Sequence, residues 1–404
     1  MDGGAGLDRR EVTFPGEDAD TPKKSDRQRE KRLLTGFAGA LLPEEGVARC
    51  GKKVSRLFET DAETFVGLQK HADGGSFAGV VSCHSVWHCP VCASRIAIGR
   101  QREVKGIVSL HQATGGKVTM TTLTLRHNVA TRVATIKKDV STTWSKMRGT
   151  RAFKQAEGFG GVVGGVRSLE VTHGQNGWHP HLHILTFFDA KAGDAAIEAY
   201  QEKLIALWID KAAARGYICE RAGQDWRWAD TPGAAGDYVT KWGVDWELTH
   251  AHLKKSKGGR SPFQILADYA RDRNSQDGAL FREYALAFKG ARQLTWFGDV
   301  RKTYDAPELD DAEIAADEDE TEIVGFLNAD GFHHLRRRRL VEEFLSVVAA
   351  GGRFMEYHGH IGLQVWLDVR RVPAMVRPPG YAARFRRPMR KSHDGEKGDG
   401  AVST

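Results

Sequence analysis

Two runs rich in apolar and β-branched residues, GVVGGVRSLEVTH (161–173) and HPHLHILTFF (179–188), flank Gly174-Gln175-Asn176-Gly177. An Asn-Gly pair between such runs is a strong hairpin signal. This hairpin constrains the fold more than any other feature, because its register fixes which side chains share a face. In the return strand, His179, His181 and His183 stand two apart and therefore project to one face, while Leu182 takes the other. If residues 173–178 form the connection, Glu170 lies across from His181; if only Asn176-Gly177 turn, it lies across from His183. Both registers have the same parity, so Glu170 shares the histidine face either way. Two imidazoles and a carboxylate at adjacent cross-strand positions can bind a divalent cation and leave positions open for substrate oxygens. His179 competes as the third ligand. The bland alternative is a polar, solvent-facing strand, which three histidines on one face opposite a carboxylate make less economical. Pro180 suits the first residues of a strand or an edge.

The neighbouring segments supply a rhythm. KVTMTTLTLRHN (117–128) alternates and reads as a strand, and residues 130–152 read as a helix. DAAIEAYQEKLIALWIDKAAARG is an amphipathic helix closed by Gly216. GYICER and DWRWA read as short strands, and a helix follows Pro232. The order β-α-β-β-α-β predicts an α+β fold: an antiparallel, ferredoxin-like (palm-like) sheet with helices on one face. On the helix after Pro232, GDYVTKWG places Tyr238, Lys241 and Trp242 on one side. A lysine beside a tyrosine favours its phenolate, and tyrosine is a covalent nucleophile in some enzymes. Taken alone, the motif fits a core tyrosine better.

The chain of 404 residues exceeds one ordinary domain. Its net charge of +7 suits a polyanionic partner. No apolar run approaches the length of a membrane span. The N-terminal MDGGAGLDRREVTFPGEDAD lacks the apolar core of a signal peptide, so the expectation is a soluble cytoplasmic protein with no membrane partner. In that compartment cysteines serve as ligands or free thiols rather than disulfides. Cys89-Pro90-Val91-Cys92 is a C-x2-C knuckle, with Cys83 six residues before it and Cys50 further back. Four thiolates make a closed tetrahedral site for structural zinc; His84 and His88 are nearby substitutes, and free buried thiols are the alternative. Cys219 is left over as a core thiol. Residues 1–45 are expected to be a disordered segment, and 46–110 a cysteine zinc knuckle with a basic helix. A sheet domain at 111–304 follows, then an acidic linker at 305–325, a small helical unit at 326–369 and a basic disordered tail at 370–404.

The order LTLRHN, WHPHLHIL, DYVTKW, preceded by CHSVWHCPVCASRIAIGRQREV and followed by WELTHAHLKKSKGGRSPFQIL and GARQLTW, resembles the rolling-circle plasmid replication initiators of the HUH endonuclease superfamily, in their actinobacterial form. The likeness spans about residues 46–304. It implies that His181 and His183 hold Mg2+ or Mn2+, with Glu170 or His179 completing the site. It also implies that Tyr238 attacks the scissile phosphate to leave a 5′-phosphotyrosine and a free 3′-OH, with Lys241 stabilising charge. The implied partners are plasmid origin DNA, single-stranded or as a hairpin, and the host DNA polymerase and helicase. Where some relatives carry a glutamate that activates water for termination, this chain has Ala234, with Asp230 and Asp237 nearby. The basic helix behind the knuckle, with Arg95, Arg100, Arg102 and Lys105, suits a grip on that DNA. A transposase or relaxase of the same superfamily shares the chemistry, although no GxxxxGK[ST] loop of a helicase domain occurs. A non-catalytic zinc-containing repressor and a non-haem iron enzyme are readings of other classes.

Overall fold

The computed structural model describes residues 24–59, 63–71, 74–229, 259–307, 309–316 and 322–350. In chain order they form α1 (Lys24–Leu41), β1 (Phe58–Glu59), β2 (Thr64–His71), β3 (Gly74–Ala78), α2 (Pro90–Ala113), β4 (Lys117–Thr124) and α3 (Val133–Arg148). Next come α4 (Arg151–Gly160), β5 (Val162–Gly174), β6 (Gly177–Phe188), α5 (Asp194–Ala213), β7 (Asp225–Trp228), α6 (Pro262–Asp272) and α7 (Ser275–Phe288). The last are β8 (Leu294–Gly298), α8 (Val300–Thr303), α9 (Asp311–Ala316), β9 (Glu322–Asn328), α10 (Ala329–Arg338) and α11 (Val341–Ala350).

The fold is mixed α+β, and its larger sheet is antiparallel with strand order β7-β4-β6-β5-β8. The first four strands of that order are a ferredoxin-like arrangement, widened by β8. Leu123, Leu169, Leu182, Ile184 and Phe188 face the main core, where Ile136 and Val140 of α3, Phe153 of α4 and Tyr200, Leu204 and Trp208 of α5 pack on them. The other face is divided. At one end Val118, Met120, Val166, Leu185 and Phe187 are covered by Val104, Ile107 and Val108 of α2 and by Val300 of α8. At the other end the same face carries the histidines. Helices thus cover most of one face and part of the second.

Three local differences from the sequence expectation have simple causes. The helix expected over 130–152 is two, because Gly149 ends α3 and the Thr150 side chain caps α4 by accepting from the Phe153 N–H. GYICER forms no strand; its residues tie down the end of β4 instead, with Cys219 Sγ 3.3 Å from the Thr124 carbonyl. Within the segment 1–45 expected to be disordered, the described part is ordered: α1 buries Leu34 and Ala38, with Leu42 just beyond its end. Its charged first turns, KSDRQREKR, conceal that helical spacing from a reading by composition.

The acidic stretch also differs from a pure linker. Its first part is α9, whose Ile314 sits so close to Gly99 of α2 that a Cβ there would lie 2.2 Å from Ile314 Cγ2. A second compact unit comprises Val54–His71, Gly75–Val80 and the chain from Asp317. In it β9 pairs with β2, which also pairs with β1, around a core of Val66, Leu68, Leu327, Phe332 and Phe344. The small helical unit expected from 326 therefore owns a sheet, supplied by strands from the far end of the chain. No described helix is long and apolar enough to cross a membrane.

The chain leaves the larger sheet at Ala229, whose N–H bonds to the Val118 carbonyl, and rejoins it where Arg260 and His173 exchange backbone bonds of 2.7 and 2.8 Å. Arg260 is clamped by Asp268 and Asp277, each at 2.8 Å. Ser261 then starts α6 with a capping box closed by Gln264. Ser261→Ala should cost about 1 kcal/mol, measured as a lower urea midpoint at unchanged m-value.

Candidate metal centres

The hairpin closes tightly. Gly174 pairs with Gly177, and the ladder runs from there through Thr172↔His179, Glu170↔His181 and Ser168↔His183. Gly177 has φ +84, and a Cβ on it would meet Val129 Cα at 3.1 Å, so the turn needs glycine at this corner. Of the two registers the sequence allows, the one observed sets Glu170 directly across from His181 and diagonal to His183. On the other side of β6, Thr122 and Thr124 lie opposite His183 and His181. Pro180 falls one residue beyond that last β4 pair, where the ladder no longer needs its N–H.

Glu170 Oε2 lies 3.1 Å from His181 Nε2 and 3.3 Å from His183 Nε2. The far nitrogens are both engaged: His181 Nδ1 donates to the His179 carbonyl at 3.1 Å, and His183 Nδ1 lies 3.0 Å from Thr122 Oγ1. Such outer partners fix the rings so that both Nε2 atoms point at one spot. The spacings match the separation of about 3 Å between neighbouring ligands of an octahedral cation with bonds of about 2.1 Å. Glu170 Oε1 is buried without a hydrogen-bond partner, as a carboxylate awaiting a cation would be. Burial disfavours the charged carboxylate, yet His183 and His181 outweigh it and hold the Glu170 carboxyl well below the usual carboxylate range. Burial likewise opposes protonation of His181, and the Glu170 hydrogen bond and charge overcome it and raise its pKa.

His179 is turned elsewhere. Its Nδ1 lies 3.2 Å from His127 Nδ1, and the two rings are 4.7 Å apart. Burial, with help from His181 and His127, pushes His179 down to about 3. A neutral His179 accepts from His127, whose Nδ1 also reaches the Leu125 carbonyl at 3.2 Å. The structure thus gathers Glu170, His181 and His183 into one cluster and leaves His179 outside it. Sequence reasoning missed Thr122 and His127. The alternation of KVTMTTLTLRHN carries a signal for both, but only once β4 is known to flank β6. Tyr238 and Lys241 lie outside the described residues.

The four cysteines form a second cluster. Sγ–Sγ separations are 3.6 Å for Cys50–Cys92 and Cys89–Cys50, and 3.7 Å for Cys83–Cys92. A tetrahedral zinc with Zn–S bonds of about 2.3 Å requires sulfurs about 3.8 Å apart, whereas a disulfide needs about 2 Å. Cys89 caps α2 by accepting from the Cys92 N–H, with Pro90 as the first helical residue. His84 adopts φ +49 directly after Cys83. His88 bonds the Ala285 carbonyl at 2.9 Å inside the core, so the gathered set is all cysteine. Burial raises the Cys89 thiol, an environment in which clustered thiolates need a cation between them. Cys219 stands apart, as expected.

On the basic helix α2, one of the expected DNA-contacting arginines is held in ion pairs. Arg100 bonds Glu103 and Asp311, both at 3.0 Å, and its side chain is 13% exposed. This ion-pair network engages Arg100; the sequence could not show it, because Asp311 lies 211 residues away. Arg102 is exposed, and Arg95 and Lys105 are half-buried.

An α+β sheet with a cluster of two histidines and one carboxylate on its open end, beside a four-cysteine cluster at a helix start, defines a protein with two candidate metal centres. Residues 76–209 match the family described as "Replication protein". That segment includes Cys83, Cys89, Cys92, Glu170, His181 and His183. The chain is similar to "Protein rep" of Streptomyces lividans, at 26% identity over 336 residues, 65% of this chain and 74% of that protein. It is also similar to a "Neomycin resistance protein" of Streptomyces cyanogenus, at 26% identity over 184 residues, 37% of this chain and 42% of that one. No solved structure matches.

Proposed function

We propose that this chain initiates rolling-circle replication of a plasmid by nicking its origin, with Tyr238 as the nucleophile and Glu170, His181 and His183 holding Mg2+ or Mn2+. The observation that carries this reading is the convergence of both Nε2 atoms on Glu170 Oε2 within the replication-family segment. Held by Glu170, His181 and His183, such an ion would polarise a non-bridging phosphate oxygen and neutralise developing charge. The Tyr238 hydroxyl gives up its proton and its oxygen bonds to phosphorus. The P–O3′ bond breaks, and the departing O3′ gains a proton, leaving a 5′-phosphotyrosine and a 3′-OH for a polymerase. Lys241 offers positive charge near the tyrosine oxygen, where positioning and electrostatics do most of the work of phosphoryl transfer. The segment bearing both residues, 230–258, is tethered to this sheet at both ends, through Ala229 and Arg260. Arg95, Arg102, Lys105 and the basic 370–404 segment supply sequence-independent phosphate contacts. The four cysteines hold structural zinc, which fixes the start of α2.

The test is covalent capture. Purified protein is mixed with single-stranded DNA from its own replicon and Mn2+, then denatured and resolved by mass. A protein–DNA adduct that disappears with EDTA is expected; a wild-type protein giving no adduct on DNA of its origin overturns the reading.

A further inference from the structure

The opposite face of the same sheet carries a feature that nicking does not use. A cleft of about 490 Å3 opens between α3, α7 and β5. Lys137, Lys138, Arg167 and Arg292 line it, with the hydroxyls of Ser141 and Thr142. None of its described lining residues is acidic. Arg167 pairs with Ile184 across the ladder and Glu170 with His181, so the guanidinium projects away from the imidazole face. Half-buried, it meets neutral acceptors: Thr295 Oγ1 at 3.0 Å and the Arg292 carbonyl at 3.5 Å. Lys137 Nζ donates to the Ala287 carbonyl at 2.6 Å and lies 5.5 Å from the Phe288 ring centre. Burial lowers the pKa of both groups. Partly buried cations without carboxylates are costly unless an anion completes the site.

We propose that this cleft is a second phosphate site, which takes the phosphodiester backbone of a DNA strand on the face opposite the imidazoles. The cations and hydroxyls specify phosphate; the choice of DNA as its source rests on the replication reading. A backbone fits better than a free nucleotide, because no lining residue is aromatic to stack a base and none is acidic to bind a ribose hydroxyl. A strand held here and cut on the other face passes around the sheet edge, which suits a protein that must keep hold of DNA after nicking.

The experiment measures binding of the full chain to a mixed-sequence single-stranded oligonucleotide over a salt series. Lys138→Ala with Arg292→Ala changes two exposed side chains, and a melting curve checks the fold. Affinity should fall about tenfold, and the slope of log K against log [salt] should shrink by about 1.4, from two lost contacts at about 0.7 each. Arg167→Gln should weaken binding further, while Mn2+ affinity stays at the wild-type value. Unchanged affinity and slope in the double variant overturn this site and leave the nickase reading standing. A wild-type protein that binds no DNA overturns both. If micromolar adenosine monophosphate displaces the oligonucleotide from wild type but not from the double variant, the cleft belongs to free nucleotides and the proposal fails.

Discussion

A Glu170→Ala protein is expected to lose its catalytic cation and its covalent DNA adduct together, whereas Tyr238→Phe should lose the adduct and keep the cation. Glu170 Oε2 is the point on which both Nε2 atoms converge, at 3.1 and 3.3 Å. Removing it leaves two half-buried imidazoles with no negative charge between them, a poor site for a hard dication. Nicking should fall by about a thousandfold or more, the equivalent of about 4 kcal/mol of lost transition-state stabilisation. His179→Ala provides the contrast, because its ring faces His127; its Mn2+ affinity should stay near wild type, since the carbonyl that orients His181 remains. Thr122→Val should give an intermediate result, with metal affinity about tenfold weaker, because the hydroxyl beside His183 Nδ1 only orients that ring. Mn2+ affinity by calorimetry and adduct yield on a denaturing gel separate these outcomes. An adduct that survives Glu170→Ala removes the carboxylate from the chemistry. One that survives Tyr238→Phe removes the tyrosine.

How much of this was legible beforehand follows from which contacts are local. The histidine face and its carboxylate could be read from sequence because a tight hairpin fixes parity, and parity alone puts Glu170 with His181 and His183. The choice between Glu170 and His179 as third ligand could not, since it turns on which ring reaches His127 from another strand. Cys83, Cys89 and Cys92 lie close together in the chain and announce themselves, and Cys50, further back, is the cysteine that could make a fourth thiolate with them. Distance along the chain hid the second sheet, where β9 completes β2 across most of the chain's length. It also hid the fate of Arg100, whose charge is visible in sequence but whose partner Asp311 is not. Charge composition marks a surface as basic; only packing decides which cations remain available.

The second large effect belongs to the cysteines. Cys92→Ser is expected to release one equivalent of zinc and lower stability by about 3 to 5 kcal/mol, or about 10 °C in melting temperature. Cys92 is the hub of its cluster: its sulfur lies 3.6 Å from Cys50, 3.7 Å from Cys83 and 3.3 Å from Ser82 Oγ. Cys50, Cys89 and Cys92 are also members of the main core, alongside Leu34 and Ala38 of α1 and Ile96 of α2. Losing the ion would therefore force the buried thiolates to take up protons and give up the bonds that tie the chain together where α1 and α2 meet. Cys219→Ser is the matched control, because that thiol lies outside the four-cysteine cluster, where it bonds the Thr124 carbonyl and accepts from Gln224; its zinc content should equal wild type. Metal analysis of the purified proteins decides the matter: zinc retained by Cys92→Ser, or absent from wild type, would reduce the cluster to packed thiols. The two ions should also separate in the same samples, since Cys92→Ser, assayed below its melting temperature, still presents Glu170, His181 and His183 from the central strands β5 and β6 and should bind Mn2+ as wild type does.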